Sequence, residues 1–506
     1  MKALQLLVAC VAMLVLSAAG SASAADWHRA ETPRFIVYSN GDPTSLREAA
    51  LELELYDSAL RFMHGLDVNA APARKLSIYL VRDTAGLRQV SPDAPEMMRG
   101  FYRASNDEIF AIAIRERRNM RTLLHEYAHH FMLANFASGY PSWLVEGYAE
   151  YFGTADIDAH QITIGLPDPD RQSWLSYADW LPLRSVLEGR PSDFNTNIQV
   201  TQFYGQSWML THWFMSDAAR LRQLVAYAQN LQAGMDPVEA IEDATGMSVA
   251  DLERTLKAYA GQRVALKRFS ADQFARPNVE ITTLSPGAGD LLLASLRLNN
   301  PLGEEGGAQA LGLIRAKAAR YPGDPFVETV LARAEIDYGD PQTAEAVLQR
   351  RLAANADDID ALMLLARIRL KAMETAGDNE LAMGREARNF LARAYQLDPN
   401  RYQILYQLGQ VRQLSSNYPT DNDMASILTA YDLAPQVGSI RFAAARAHLM
   451  RREYDEGITL LEPLANDPHS DGTAAAAKAM IARAVSMRDG TTTTDVIEVV
   501  VEAPAE

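Results

Sequence analysis

The sequence predicts an α+β domain followed by an all-α array of helical repeats. Short strand-like segments alternate with helical patterns in the first part of the chain. Glycine and proline interrupt those patterns near residues 276–287, and paired helical patterns recur at a regular period after them. The chain has 506 residues, 48% of them hydrophobic, so its length suggests about three domains with sizeable cores.

The N-terminal residues 1–24 predict a secretory signal peptide. Lys2 provides a positive start, an apolar run follows, and small residues end in the cleavage pattern Ala22-Ser23-Ala24. The apolar run is shorter than the roughly 20 residues that a spanning helix needs, so we expect no membrane span after cleavage. Export to the bacterial periplasm is the favoured localisation. Secretion, or anchoring by an uncleaved N-terminal segment, is the alternative.

The cysteine content and the net charge exclude some kinds of chemistry and some classes of partner. Cys10 is the only cysteine and lies in the predicted signal peptide, so the mature chain has no disulfide, thiol nucleophile or thiolate ligand. The formal net charge is -16 and no long basic block occurs. Nucleic acid and anionic membrane surfaces are therefore not expected as partners.

The predicted α+β domain covers residues 25–275. Strand-like segments lie at 34–40 and 75–81, and a hairpin is predicted over 100–114, where two apolar arms flank a polar turn. Helical spacing or N-cap residues predict helices at 44–66, 119–136, 142–152, 197–216 and 218–231, and after Asp236 and Ser248. Residues 276–287, with Pro277, Pro286 and Gly287, are predicted to be a linker.

Residues 288–486 show internal repetition. Asp324 and Asp358 stand at matching places in two successive units, 34 residues apart, and two further units follow. This period resembles that of tetratricopeptide repeats, which stack into a solenoid with a concave surface, and the resemblance implies a protein partner. A generic helical bundle is the alternative. Residues 487–506 are predicted to be a disordered tail.

The segment His125-Glu126-Tyr127-Ala128-His129 lies in an amphipathic helical pattern free of glycine and proline. Residues i and i+4 of a helix differ by only about 40° around its axis, so both imidazoles project from one side. That arrangement suits two corners of a tetrahedral zinc site, and Glu126 can reach a water on the ion.

A third ligand is available in the next helical pattern, over 142–152. Ser142 is the predicted N-cap, and Glu146 then lies one turn into the helix. Glu150 lies one turn further along the same face and is an alternative ligand. The residues His28, His64, His130, His160, His448 and His469 have no metal-type spacing relative to the motif.

The two segments "HEYAHHF" and "PSWLVEGYAEYF" together resemble gluzincin metallopeptidases of the peptidase MA-like group. The resemblance implies a zincin-like metallopeptidase domain with one Zn²⁺ per chain. It implies His125, His129 and Glu146 as the zinc ligands and Glu126 as the general base. By the same resemblance, Tyr204 is the first candidate for stabilising the oxyanion.

The resemblance leaves three points open. His212 is the second candidate for the oxyanion. Glu150 either orients a ligand histidine by a hydrogen bond or is a surface charge. Residues 109–114 are expected to be the strand that pairs with an extended substrate.

The sequence therefore leaves two alternative functions. The first is an exported zinc metallopeptidase that hydrolyses a peptide or protein substrate recruited by the repeats. The alternative is a repeat-based protein-binding or envelope-assembly factor whose zinc domain is not catalytic.

Overall fold

The computed structural model describes residues 26–491 except 116–119, 137, 170, 172, 174, 176–178, 263, 375, 376 and 414. The predicted signal peptide and residues 492–506 of the predicted tail lie outside the described residues. The described part is a mixed α/β region followed by helices in pairs. Its strands are β1 (His28–Glu31), β2 (Phe35–Ser39), β3 (Leu76–Val81), β4 (Gly100–Ala104), β5 (Ile109–Ile114), β6 (Asp156–Ile157), β7 (Gln161–Ile164), β8 (Lys267–Ser270) and β9 (Glu280–Thr283).

Six strands form one sheet in the order β4-β5-β3-β2-β1-β9. The pairs β2–β3 and β3–β5 are parallel, and the other pairs are antiparallel. A second, small sheet has the order β6-β7-β8. The helices of the α/β region are α1 (Pro43–Met63), α2 (Thr84–Val90), α3 (Arg121–Asn135), α4 (Ser142–Gly153), α5 (Leu183–Glu188), α6 (Asn197–Met215), α7 (Ala218–Gln232), α8 (Pro237–Thr245) and α9 (Val249–Ala260).

Strands β2 and β3, the hairpin and helices α1, α3, α4, α6 and α7 were predicted within a few residues of their bounds, and α8 and α9 begin where predicted. Helices α2 and α5 and the strands of the small sheet, β6 to β8, were not predicted. The edge strands β1 and β9 were missed, because "HRAE" and "EITT" are only four residues long and show no apolar alternation. The expected linker 276–287 is wrong in part: β9 pairs with β1 along its full length, and α10 begins at Pro286. Pro286 is the first residue of α10, whereas Pro277 lies in the irregular stretch 275–279 before β9.

The repeat region consists of helices stacked on their neighbours. Its helices are α10 (Pro286–Arg297), α11 (Gly303–Ala318), α12 (Pro325–Tyr338), α13 (Pro341–Ala354), α14 (Ile359–Met373), α15 (Glu380–Leu397), α16 (Tyr402–Arg412), α17 (Asp421–Leu433), α18 (Gly438–Met450), α19 (Tyr454–Ala465) and α20 (Asp471–Arg488). Asp324 and Asp358, whose spacing predicted the period, are the N-caps of α12 and α14. Helix α20 extends two residues into the predicted tail.

The sheet carries hydrophobic cores on both faces. One face packs on α1 and α3 through residues such as Phe35 and Phe131, and α4 and α6 extend the same core. On the other face, Tyr79 and Ile112 of the sheet pack against Leu292 and Leu296 of α10. The repeats therefore begin inside the α/β region's own core, and the two regions are not separated by a spacer.

The tip of the β4–β5 hairpin reaches the first helices of successive repeat pairs. Asp107 forms ion pairs with Arg333 of α12 and Arg367 of α14, at 3.0 and 2.8 Å. Tyr402 Oη of α16 donates to the Ser105 carbonyl at 3.0 Å. The inner side of the array is thus occupied in part by this protein's own hairpin.

Replacing Asp107 with alanine should lower the free energy of unfolding by about 2 kcal/mol, because Arg333 and Arg367 each lose one of their partners in a largely buried contact. Urea unfolding followed by circular dichroism measures this change. The control, Glu96→Ala, removes an ion pair with Arg88 in which the carboxylate is 79% exposed. It should shift stability by less than about 0.5 kcal/mol. Equal effects of the two substitutions would contradict a hairpin contact that stabilises the fold.

Candidate metal centre

Helices α3 and α4 bring three potential ligands together. Ligand atoms of His125, His129 and Glu146 all lie within 4.8 Å of one another. The two Nε2 atoms are 3.1 Å apart, and Glu146 Oε2 lies 3.7 Å from His125 Nε2 and 3.6 Å from His129 Nε2. With zinc–ligand bonds of 2.0–2.1 Å, the edge of a ligand tetrahedron is about 3.4 Å. The three separations bracket that length.

Two glycines of α4 allow this close approach. A Cβ on Gly153 would lie 2.9 Å from the Cβ of His125. A Cβ on Gly147 would lie 2.3 Å from Thr211 Oγ1 and 2.4 Å from the Ser207 carbonyl oxygen, both on α6. Glycine at these positions lets α4 pack closely between α3 and α6, which places Glu146 against the histidines.

The surroundings of Glu146 fit a bound cation. The residue is fully buried, and its Oε2 accepts no hydrogen bond from the described residues. Its partners are imidazoles, with His469 Nε2 2.9 Å from Oε1. Burial disfavours the charged carboxylate, but the positive charge of the His469 imidazole outweighs burial and lowers the pKa of Glu146 to about 2. Two nitrogen donors and one anionic oxygen form the donor set that zinc binds.

Burial lowers the pKa of His129 to about 3, so this imidazole is neutral at physiological pH, as metal binding requires. The other motif histidine is more accessible: the side chain of His125 is 20% exposed. His130, the neighbour of His129, points elsewhere, and its Nδ1 lies 3.0 Å from Tyr102 Oη on β4. His130 is therefore engaged with β4 and does not face the other two histidines.

The predicted base Glu126 lies between the ligands and the edge of the six-stranded sheet. Its Oε2 accepts a hydrogen bond from the Tyr102 backbone N–H at 3.1 Å. Burial raises its pKa above that of an ordinary glutamate. A raised pKa suits a carboxylate that takes up and returns a proton near neutral pH.

The strand beside this site differs from the expected one. Residues 109–114 form β5, which is paired on both sides, with β4 and β3. On this side of the sheet, the edge strand among the described residues is β4, over Gly100–Ala104. The prediction that 109–114 pairs with substrate is therefore wrong, because both ladders of β5 are already filled. The apolar composition that led to the prediction for β5 reflects its place in the interior of the sheet, where the strand is buried.

Glu150 is buried, so the surface-charge alternative is wrong, and the predicted hydrogen bond from Glu150 to a ligand histidine is not formed. Its Oε1 lies 3.9 Å from His125 Nδ1, beyond hydrogen-bond distance, and accepts a hydrogen bond from Arg171 Nη2 at 2.9 Å. Glu146 is the carboxylate that faces both histidines. Arg171 was missed by sequence reasoning, because nothing in its local pattern indicates an ion pair with α4.

The two candidates for oxyanion stabilisation are in different surroundings. Tyr204 lies under the Arg171 guanidinium, which is 5.0 Å from its ring centroid, and burial and the charges of Glu146 and Glu150 raise its pKa. His212 lies two turns further along α6, where Nδ1 is 2.9 Å from Tyr259 Oη and Nε2 is 3.2 Å from the Gly165 carbonyl. Both ring nitrogens of His212 are thus engaged away from the centre, and Tyr204 remains the candidate.

Ser142 does not cap α4 as predicted. The N-cap is Pro141, and the cap makes no side-chain hydrogen bond. Ser142 Oγ instead donates to the Asn466 carbonyl at 3.3 Å, in the loop between α19 and α20. The same loop carries His469, which sequence reasoning set aside. Its spacing from the motif gives no signal, because only the packing of the repeats brings it to Glu146.

No protein-family model matches this chain, and no curated protein matches it significantly. Among solved structures, the chain is similar to the crystal structure of a thermophilic TPR protein from Thermus thermophilus, at 21% sequence identity and a TM-score of 0.33. The match covers 39% of this chain and 98% of that chain. This TM-score is too low to support a conclusion about this chain.

Within the described residues, no helix is both long enough and apolar enough to cross a membrane.

Replacing Gly147 with alanine should lower the free energy of unfolding by about 2 kcal/mol and weaken metal binding, because the new Cβ forces α4 away from α6. The control is Gly312→Ala in α11, where a Cβ would meet nothing within 4 Å. That change should raise stability by about 0.5 to 1 kcal/mol, as alanine favours a helix over glycine. Urea unfolding and metal titration of both variants measure the effects. A Gly147→Ala protein with unchanged stability and metal affinity would contradict the close packing of α4.

Proposed function

We propose that this protein is an exported zinc-dependent metallopeptidase with a zincin-like domain. The observation that supports the proposal is the buried Glu146 carboxylate, whose Oε2 accepts no hydrogen bond from the described residues and faces the Nε2 atoms of His125 and His129. Residues 1–24 would direct export to the periplasm. The gluzincin-like segments around these residues support the reaction class.

The residues of the centre have separate tasks in this proposal. His125, His129 and Glu146 hold one zinc ion per chain. When bound, zinc supplies a Lewis acid for a carbonyl oxygen and lowers the pKa of a water. Glu126 takes the proton of the attacking water and returns it to the leaving amine.

The sheet edge and Tyr204 complete the proposed site. The Tyr102 backbone N–H fixes the Glu126 carboxylate beside the edge strand β4, so an extended substrate would lie along β4 rather than β5. Tyr204 donates to the developing oxyanion. Glu150, held by Arg171, lies 3.9 Å from His125 Nδ1 and places a negative charge near this ring.

Metal content of residues 25–506, measured by elemental mass spectrometry, tests the ligand set. About one zinc per chain is expected, with loss in His129→Ala. The matched control is His130→Asn, which alters the adjacent buried histidine and should keep the metal. Zinc retained in His129→Ala, or absent from the folded wild-type protein after zinc supplementation, would contradict the site.

Glu126→Gln tests the reaction. The variant should keep its zinc and lose hydrolysis of unfolded protein or peptide substrates by about 10²- to 10⁴-fold, because the amide cannot accept the proton. Cleavage is followed by mass spectrometry of the products. Glu96→Gln, at an exposed position, is the matched control and should cleave at the wild-type rate. Undiminished cleavage by Glu126→Gln would contradict its role as base.

A second candidate function is a repeat-based binding or envelope-assembly factor with a non-catalytic zinc domain. It is favoured by a cavity of about 570 Å³ beside α14 and α16, lined by residues including Leu370, Tyr406 and Gln410. A protein partner would then bind through the repeats. Capture of one defined partner that survives His129→Ala but is lost in Gln410→Trp would support this function. Capture lost in His129→Ala would favour the peptidase.

A further inference from the structure

The repeat region supplies a residue to the metal centre. His469 lies in the loop between α19 and α20, and its Nε2 is 2.9 Å from Glu146 Oε1. Its ring also contacts that of His129, with centroids 5.4 Å apart and planes at 85°. A histidine from the last helical pair thus touches two of the three potential ligands in the α/β region.

The loop that carries His469 is fixed to the segment before α4. Asn466 Nδ2 donates to the Gly139 carbonyl at 2.8 Å, and its own carbonyl accepts from Ser142 Oγ. The Arg190 guanidinium donates to the Asp467 carbonyl. These contacts hold the loop through its backbone and through Asn466, so the position of the imidazole does not depend on its own side-chain contact alone.

The two oxygens of Glu146 face different partners. Oε2 faces His125 and His129, at 3.7 and 3.6 Å, whereas Oε1 faces His469. A carboxylate that binds a metal through one oxygen can rotate unless the other oxygen is also held. His469 is the residue placed to prevent that rotation.

His469 is not itself part of the ligand set. The group whose ligand atoms all lie within 4.8 Å of one another consists of His125, His129 and Glu146. The side chain of His469 is 57% exposed, whereas Glu146 is fully buried. The imidazole therefore covers the carboxylate from the solvent side.

We propose that His469 is a positioning residue of the metal centre, which orients the Glu146 carboxylate, so that the centre is complete only when the last helical pair is docked. This inference rests on the metal-binding part of the proposed function. It assigns to the repeats a task inside the protein, besides the binding of a partner. It also predicts that metal binding and docking of the α19–α20 loop stabilise each other.

The experiment compares full-length wild-type protein with His469→Ala, His469→Gln and His448→Ala. Each metal-free protein is titrated with Co²⁺, and affinity is measured by competition with a chelator. The visible absorption of bound Co²⁺ reports the geometry of the ligands. Thermal unfolding of the metal-free proteins checks that each variant is folded. We expect the His469 variants to fold, because this side chain is largely exposed.

His469→Ala should weaken metal binding by about 10- to 100-fold and alter the Co²⁺ spectrum, as loss of a partner of a ligand does. His469→Gln should restore most of the metal affinity and of the Co²⁺ spectrum, since the glutamine amide nitrogen reaches the place of His469 Nε2. His448 is a repeat histidine paired with Glu453, so His448→Ala should match the wild type.

Wild-type affinity and spectrum in folded His469→Ala would overturn the inference, as would a glutamine variant that is no better than alanine. The inference would be supported and the peptidase contradicted if the wild-type protein binds Co²⁺, His469→Ala weakens that binding, and the zinc-loaded wild-type protein cleaves no substrate. A folded wild-type protein that binds no metal would overturn both.

Discussion

The burial of the Glu146 carboxylate is the constraint on which the rest of the site depends. A buried anion is costly unless positive charge compensates it, and here the surrounding groups are imidazoles. Two glycines of α4 remove the side chains that would keep this helix away from α3 and α6. The geometry of the centre therefore follows from helix packing as much as from the ligands themselves.

A second constraint couples the repeats to the sheet. The hairpin tip inserts the Asp107 carboxylate between two arginines of successive repeats, and α10 completes the core on the far face of the sheet. Repeat helices need neighbours to bury their apolar faces, and here the α/β region supplies one. The repeats therefore pack against the region that contains the site. This packing holds the loop before α20 near Glu146.

Much of the fold could be predicted from local pattern. Helix α1 carries apolar residues at helical spacing, the central strands are rich in β-branched and aromatic residues, and the caps Asp324 and Asp358 mark the repeat. The short strands β1 and β9 could not be predicted, because four residues carry too little pattern and their pairing is set by distant strands. The same long-range pairing explains why β4, rather than the more apolar β5, is the edge strand.

The sequence by itself determined the local part of the site. Helical spacing fixes His125 and His129 on one side of α3, and one turn of α4 sets the place of Glu146 relative to its start. Tertiary structure alone decided that Tyr204 rather than His212 lies near the carboxylates, and that His469 covers Glu146. The physical reason is that a single helix sets the spacing of its own residues, whereas contacts between helices depend on how the whole chain packs.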